Sequence, residues 1–502
     1  MSGFGGLLRA EWVKLRSVSR WVIALFGTAV LTIGLSLFAA SSSDTDANEK
    51  PDFVVGPHND PVADAMTFVH QPISGDVTLT VRVGDLTVPD APDRRTMGRG
   101  DTLTKLDDPS PWSGAAAGIM IKDGTTPGSS YAAVLLSQNN GVRMQSDYRD
   151  DIAGPAGTSP RWLRLTRTGA TITGYQSADG STWTKIGEVT PAHLPQDAQI
   201  GFYVSASPVL YVSRGGGSSS VGGMSSQATA TFDGIAVDGA TGTWTDEAIR
   251  MPQELERMPK SATGPSEVTE SGGVYTVTGS GRIGPQTVPD DPVQIALIGV
   301  LAGIMALIAV GVLFATAEYR RGMIRSTFAA EPRRGRVLAA KALVLGTVSF
   351  VLGLAAVVLA YVIARPQLRE KGFAPPAHPD ESLTDPAVIR VLLLSAAFMA
   401  LIAVFAMAVG MLLRHSAAAI TLTVVLVMLP MIVGSLLPGT LPRLLMQTTL
   451  AGGLATQRAK PPTQLLAEPW SLIGPWAGIG VVAAYTAVAL GLAWWQLRRR
   501  DV

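Results

Sequence analysis

The chain has 502 residues, 47% hydrophobic and 16% charged, with a net charge of +1 and no cysteine. The missing thiols exclude disulfides, thiolate metal sites and thiol redox chemistry. These averages hide two unlike materials, long uncharged apolar runs and one large polar segment rich in β-forming residues.

Residues 1–20 predict a cytoplasmic amphipathic helix. "LLRAEWVKLRSVSR" sets Leu8, Trp12 and Leu15 along one stripe, with Arg9, Arg16 and Arg20 beside it and Lys14 among them, a pattern suited to the membrane interface. Residues 21–40 follow as an uncharged run long enough to cross a bilayer as a helix. A cleaved signal peptide is the competing reading, but its apolar core usually runs only about 7–15 residues, so an uncleaved span is expected.

Residues 41–292 form a polar insertion large enough for a domain, with a β-sandwich core at 52–245 and a connector and last strand at 246–292. "GDVTLTVRV" alternates Val77, Leu79, Val81 and Val83 with polar partners, the period of a half-buried strand. Asn140-Gly141 predicts a hairpin, turns are expected at Thr168-Gly169 and Asp179-Gly180, and Gly234 reads as a bulge. "SRGGGSSSVGGMSSQ", with eleven Gly or Ser in fifteen residues, is expected to be a flexible loop. Many short strands argue for an antiparallel sandwich or jelly roll. Within it, His58, His70 and His193 have no metal-like spacing, Asp147 to Asp151 reads as a solvated turn rather than a calcium site, and no compact acidic pair nominates a glycosidase. Trp112, Tyr131, Trp162, Tyr175 and Trp183 are candidates for stacking on sugar faces or, at strand spacing, for core.

Further spans are read at 293–316, 342–364, 391–413, 416–437 and 474–495, with a tail at 496–502. Residues 317–341 separate two of them and carry seven Lys or Arg against two Glu. Lying between two spans, this segment is a basic membrane loop and not a nucleic-acid arm. Six spans put both termini on one side. Lys and Arg mark the cytoplasmic side, and Arg9, Lys14, Arg16, Arg20, the basic loop, Arg414 and Arg498 to Arg500 outweigh Arg365, Arg369, Lys371, Arg443, Arg458 and Lys460 on the other. The expected topology is therefore N-in and C-in at the plasma membrane, with the β-domain extracytoplasmic. None of the predicted spans holds Asp, Glu, Lys, Arg or His, which argues against a proton or ion relay inside the bilayer.

"LLRAEWVKLRS" and "EYRRGMIRSTFAAEPRRGRVLAAK" resemble the cytoplasmic elements of ABC-2-type permeases of actinobacterial kind. The resemblance implies a membrane subunit of an exporter, with no cofactor of its own and with ATP and Mg on a separate cytoplasmic ATPase. It also implies a homodimer or heterodimer of permeases in the lipid bilayer. Its coupling helix falls on Glu318, Tyr319, Arg320, Arg321, Gly322, Met323, Ile324, Arg325 and Phe328, stopped by Pro332 and turned back by Arg333 and Arg334. The segments between Thr67 and Val237 resemble concanavalin-A-like jelly rolls related to laminin-G-like modules, which implies a possible cell-wall or glycan ligand. "GSGRIGP" places Arg282 where the inserted domains of such permeases have an acid, which weakens a ligand role for that turn. No GxxxxGK[ST] loop occurs, so the expected function is a permease subunit rather than an ATPase or other enzyme. The competing reading is a membrane-anchored carbohydrate-binding or sensing protein. No nucleic-acid partner is expected.

Overall fold

A computed structural model describes residues 3–43, 53–90, 94–96, 102–105, 110–156, 161–215, 218–239, 242–252, 266–286, 291–320, 329, 331, 333–376, 378, 380–434, 437, 441–460 and 473–499. Its helical half contains α1 (Phe4–Ser17), α2 (Ser19–Ser42), α3 (Pro292–Ala296), α4 (Val300–Arg320) and α5 (Arg334–Glu370). After these come α6 (Pro386–Leu413), α7 (Ser416–Gly434), α8 (Leu441–Thr448), a 3-10 turn at Leu450–Gln457, and α9 (Pro475–Arg499). Among the described residues six helices, α2, α4, α5, α6, α7 and α9, are long and apolar enough to cross a membrane.

α6 is the axis of the bundle. Most of its residues are buried, against α4, α5 and α9, whereas α2 and α7 turn broad apolar faces outward. Small residues permit the close crossings: a Cβ added at Gly311 of α4 would stand 2.3 Å from the Ala403 carbonyl oxygen of α6. α5 has 37 residues, about 55 Å at helical rise, so it overruns a hydrocarbon core of about 30 Å. Its first turns begin inside the basic segment at Arg334, where the sequence suggests a loop turning back. Arg and Lys are good helix formers, so nothing local keeps Arg334 to Lys341 out of the helix.

The insertion is a sandwich of two seven-stranded antiparallel sheets. One sheet orders its strands Thr184–Val189, Thr171–Ser177, Arg161–Thr168, Val77–Thr87, Ala228–Asp238, Val274–Gly279 and Glu267–Ser271. The other runs Thr245–Ile249, Met66–Ser74, Asp197–Ala206, Ala115–Lys122, Tyr131–Ser137, Gly141–Ser146 and Asp150–Ala153. Val77, Leu79, Val81 and Val83 all point into the core between the sheets. The second sheet is covered on its far side as well, by an outer core that includes Met66, Phe68, Trp112, Met120, Tyr131 and Tyr148. Its interior strand Tyr131–Ser137 is therefore buried at every position. The Gly234 bulge is present: the pairing with Val77–Thr87 slips between Asp233 and Ala236, and Gly234 takes φ +59°.

Three expectations are corrected. The Gly/Ser-rich segment is not a loop: Val209–Gly215 and Ser218–Met224 pair as a hairpin in a small four-stranded sheet, because backbone pairing needs no side chain. The connector holds more strand than expected: besides the expected last strand, found at Val274–Gly279, Thr245–Ile249 and Glu267–Ser271 pair into the two sheets. Thr245–Ile249 and Glu267–Ser271 are edge strands of the two sheets, and their polar, largely exposed positions hide the alternation that sequence reading relies on. The Asp147 to Asp151 turn is solvated only in part: Arg149 and Asp150 are exposed, but Asp147 is buried. Asp147 accepts from Ser130 Oγ, Tyr131 N and Ala192 N, while Asp151 pairs with Arg143. Finally, Val62–Asp64 pairs with Ile283–Pro285, so the chain enters and leaves the sandwich through one small two-stranded sheet.

Candidate functional site

The helical half contains a closed ring of four charges where α1, α4 and α5 meet. Lys341 Nζ lies 2.6 Å from Glu318 Oε1 and 2.8 Å from Glu11 Oε2. Lys14 Nζ completes the ring, 2.8 Å from Glu11 Oε1 and 3.2 Å from Glu318 Oε1. Signs alternate around it and the total charge is zero. Glu11, Glu318 and Lys341 are buried, whereas the Lys14 side chain is 43% exposed. The Lys341 ammonium also sits 5.0 Å from the centre of the Phe314 ring.

Local helix geometry makes the ring possible. Glu11 and Lys14 are one turn apart on α1, so both reach the same side. Leu15 follows Glu11 on the buried face and packs into the helical core. This corrects the predicted stripe of Leu8, Trp12 and Leu15: Trp12 is exposed, and the docked face is Leu8, Glu11 and Leu15. Arg16 is exposed as well. Burial works to raise the Glu11 carboxyl, but Lys341 beside it, with hydrogen bonds from both lysines, outweighs burial and holds it below its ordinary range. Burial likewise works to lower the Lys14 ammonium, and the two glutamates bring it above the usual value.

Neighbouring contacts gather at the same end of the bundle. Tyr319 lies under the Arg414 guanidinium, 5.1 Å from ring centre to Cζ. Arg334 Nη1 donates to the Leu497 carbonyl at 2.6 Å, tying the start of α5 to the end of α9. Arg333 is exposed, and its amide donates to Glu331 Oε1. Arg320 ends α4. Arg321, Gly322, Met323, Ile324, Arg325, Phe328 and Pro332 lie outside the described residues.

At the other end, Asp291 caps α3 by accepting from Val293 N and Gln294 N, and its second oxygen accepts from Ala459 N and Lys460 N. Arg390, which sequence reading passed over, donates to the carbonyls of Arg458 and Ala459. Nearby Glu381 has its carboxyl pushed up to about 7, by burial first and then by the charge of Asp291.

The aromatic candidates divide between two places. Trp162 and Tyr175 project from the outer face of the first sheet, and Arg164 on that face covers the Trp183 ring at 3.8 Å. Trp112 and Tyr131 are instead buried in the outer core on the second sheet, with no ring face left for a sugar. The five aromatics therefore do not form one stacking platform. Among the described residues no group of His, Asp and Glu has metal-binding geometry.

No family model and no curated protein sequence matches the chain. Among solved structures, SCP-B, a member of the eqolisin family of peptidases in a complex with the tripeptide Ala-Ile-His, is 8% identical, covering 43% of this chain and 98% of its own, at a TM-score of 0.25. Scytalido-glutamic peptidase with a transition state analog inhibitor is 7% identical with the same two shares and TM-score. A functionally unknown protein from Saccharomyces cerevisiae is 15% identical, covering 39% of this chain and 85% of its own, at 0.21. At these scores the likenesses carry no argument about activity.

Proposed function

We propose that this chain is the membrane-spanning permease subunit of an ABC-2-type exporter whose ATP hydrolysis is supplied by a separate cytoplasmic ATPase. In this reading both termini and the 317–341 segment face the cytoplasm of a plasma-membrane protein, and the sandwich, a jelly roll, stands outside. Two such permease chains pair across the bilayer, and the basic segment docks on the ATPase. The cargo is amphipathic or apolar, in keeping with the absence of Asp, Glu, Lys, Arg and His from residues 21–40, 293–316, 342–364, 391–413, 416–437 and 474–495.

One observation carries the reading. The charge ring takes Glu318 from the near flank of the basic segment, Lys341 from its far flank, and Glu11 and Lys14 from α1. Both ends of the segment are thereby tied to one another and to the N-terminal helix. A displacement of the segment by a closing ATPase is then passed to α4, α5 and α1 as a unit rather than absorbed by a slack loop. Buried ion pairs add little net stability once desolvation is counted, but they fix position strongly, which is what a lever requires.

The test is to look beside this chain's gene for a reading frame encoding a soluble ATPase with a phosphate loop, and to co-purify the permease with that ATPase, using Arg321→Glu and Arg325→Glu. The expected outcome is loss of ATPase retention with the permease still folded. Undiminished retention refutes the docking assignment, and the absence of any co-purifying ATPase from the unaltered complex refutes the reading itself.

A further inference from the structure

A second group of buried polar side chains lies far from the charge ring, in the outer core of the sandwich. Asp64 ends the strand by which the chain enters the domain, Lys122 ends a central strand of the second sheet, and Tyr148 sits in the turn after Gly141–Ser146. Asp64 and Lys122 are both 0% exposed and Tyr148 is 2% exposed. Lys122 Nζ is 2.8 Å from Asp64 Oδ2, 3.1 Å from Tyr148 Oη and 3.1 Å from the Ser129 carbonyl.

The asymmetry at Asp64 is the informative feature. Three donors converge on Oδ2: Lys122 Nζ, the Tyr148 hydroxyl at 2.7 Å and the Gly128 amide at 2.8 Å. Oδ1 is equally buried and has no hydrogen-bond partner among the described residues. A structural carboxylate normally spreads its acceptors over both oxygens, because a buried unpartnered one is costly. Here one oxygen is held as a leaving group is held, with an amine 2.8 Å away from it. Burial, reinforced by the charge of Asp64, pushes the Tyr148 phenol well above its ordinary range, so it keeps its proton and remains a donor.

We propose that Lys122 and Asp64 condense to an intramolecular amide, making this pocket a self-modification site of the sandwich. A proton passes from the Lys122 ammonium to the Asp64 carboxylate, and the nitrogen lone pair attacks Cγ. The Cγ–N bond forms, the nitrogen gives up a proton, and the Cγ–Oδ2 bond breaks with Oδ2 leaving as water. Tyr148 relays that proton, taking one from the nitrogen as it passes its own to Oδ2, so that no phenolate forms. One amide and one water replace one amine and one acid, with no oxidant, reductant or further reactant. Exclusion of bulk water from the pocket protects the amide, once formed, from the reverse reaction.

The placement gives the bond a purpose. Val62–Asp64 is paired with Ile283–Pro285, so the amide fastens the point of chain entry and exit to the middle of the second sheet. In a chain without cysteine it does the work of a disulfide.

Mass spectrometry of the full-length protein decides the matter. The expected intact mass is lower than the sequence mass by one water, and tryptic digestion yields a branched peptide joining the Asp64 and Lys122 segments, uncleaved after Lys122. Lys122→Arg, which keeps the charge but cannot form this amide, is expected to regain the full mass. Cleavage after Lys122 with both linear peptides recovered overturns the proposal, as does a branched peptide or water deficit that persists in Lys122→Arg. Because the digest is read on denatured wild-type protein, the result does not depend on a variant folding.

Discussion

Replacing Lys341 by Met is the sharpest perturbation of the charge ring. Lys341 is buried and neutralises two buried carboxylates at 2.6 and 2.8 Å. After its loss Glu11 and Glu318 share only Lys14, which reaches them from a half-exposed position. Breaking a buried pair by removing one partner costs about 3–5 kcal/mol, since the remaining charge is stranded. Met keeps most of the apolar volume of the lysine stem, so little of that cost comes from a cavity. Lys14→Met removes an equal number of ring contacts, but its solvent-screened ammonium should cost only about 1 kcal/mol or less. The assay is hydrogen exchange of residues 4–17 in detergent-solubilised protein, read beside the thermal transition. The expected result is strong deprotection of α1 in Lys341→Met, slight deprotection in Lys14→Met, and substantial recovery when Glu11→Gln and Glu318→Gln accompany Lys341→Met. Equal effects of the two single lysine variants, or no recovery in the triple variant, would refute the argument that burial makes this ring a position-fixing device.

Other outcomes follow from the same structure. Docking of α1 should depend on pH: with the Glu11 carboxyl held below its ordinary 4.5, the contribution is intact above that value and fades as acid titrates the folded form, which pH-dependent exchange of α1 will read. Glu381 behaves oppositely, because its folded carboxyl is raised to about 7; stability should fall as pH climbs from about 4.5 through about 7, and Glu381→Gln should flatten that slope in melting curves. Asp291→Ala removes the α3 cap and strands the amides of Ala459 and Lys460, a loss of about 2 kcal/mol or more, visible as a lowered melting temperature that Asp291→Asn restores only in part. Gly311→Ala drives a methyl into the Ala403 carbonyl at the α4–α6 crossing and should cost about 1–3 kcal/mol, whereas the same change at Gly480, where nothing stands within 4 Å, should cost little.

The sequence by itself determined the six apolar helices, the existence of a strand-rich insertion and the inward residues of its best strands. Each of these depends only on a local period or an uninterrupted run: Val77, Leu79, Val81 and Val83 declare one face of a strand without reference to any partner. Gly234 was equally legible, since a glycine inside an alternating pattern marks a break in pairing, although the reason for it, the Trp162 ring 2.4 Å from where its Cβ would stand, is tertiary.

Only the tertiary structure decided what the charges do. Glu318 and Lys341 read as ends of a basic stretch, and Glu11 as a polar interruption on an amphipathic helix, because nothing local distinguishes a solvated carboxylate from one about to be buried between three helices. The same holds for Asp64 and Lys122, 58 residues apart in the chain and 2.8 Å apart in the fold. Apolar periodicity is written along the chain because burial acts on each residue in turn. A buried ion pair is written between elements, and its meaning exists only once the chain has brought both partners out of water.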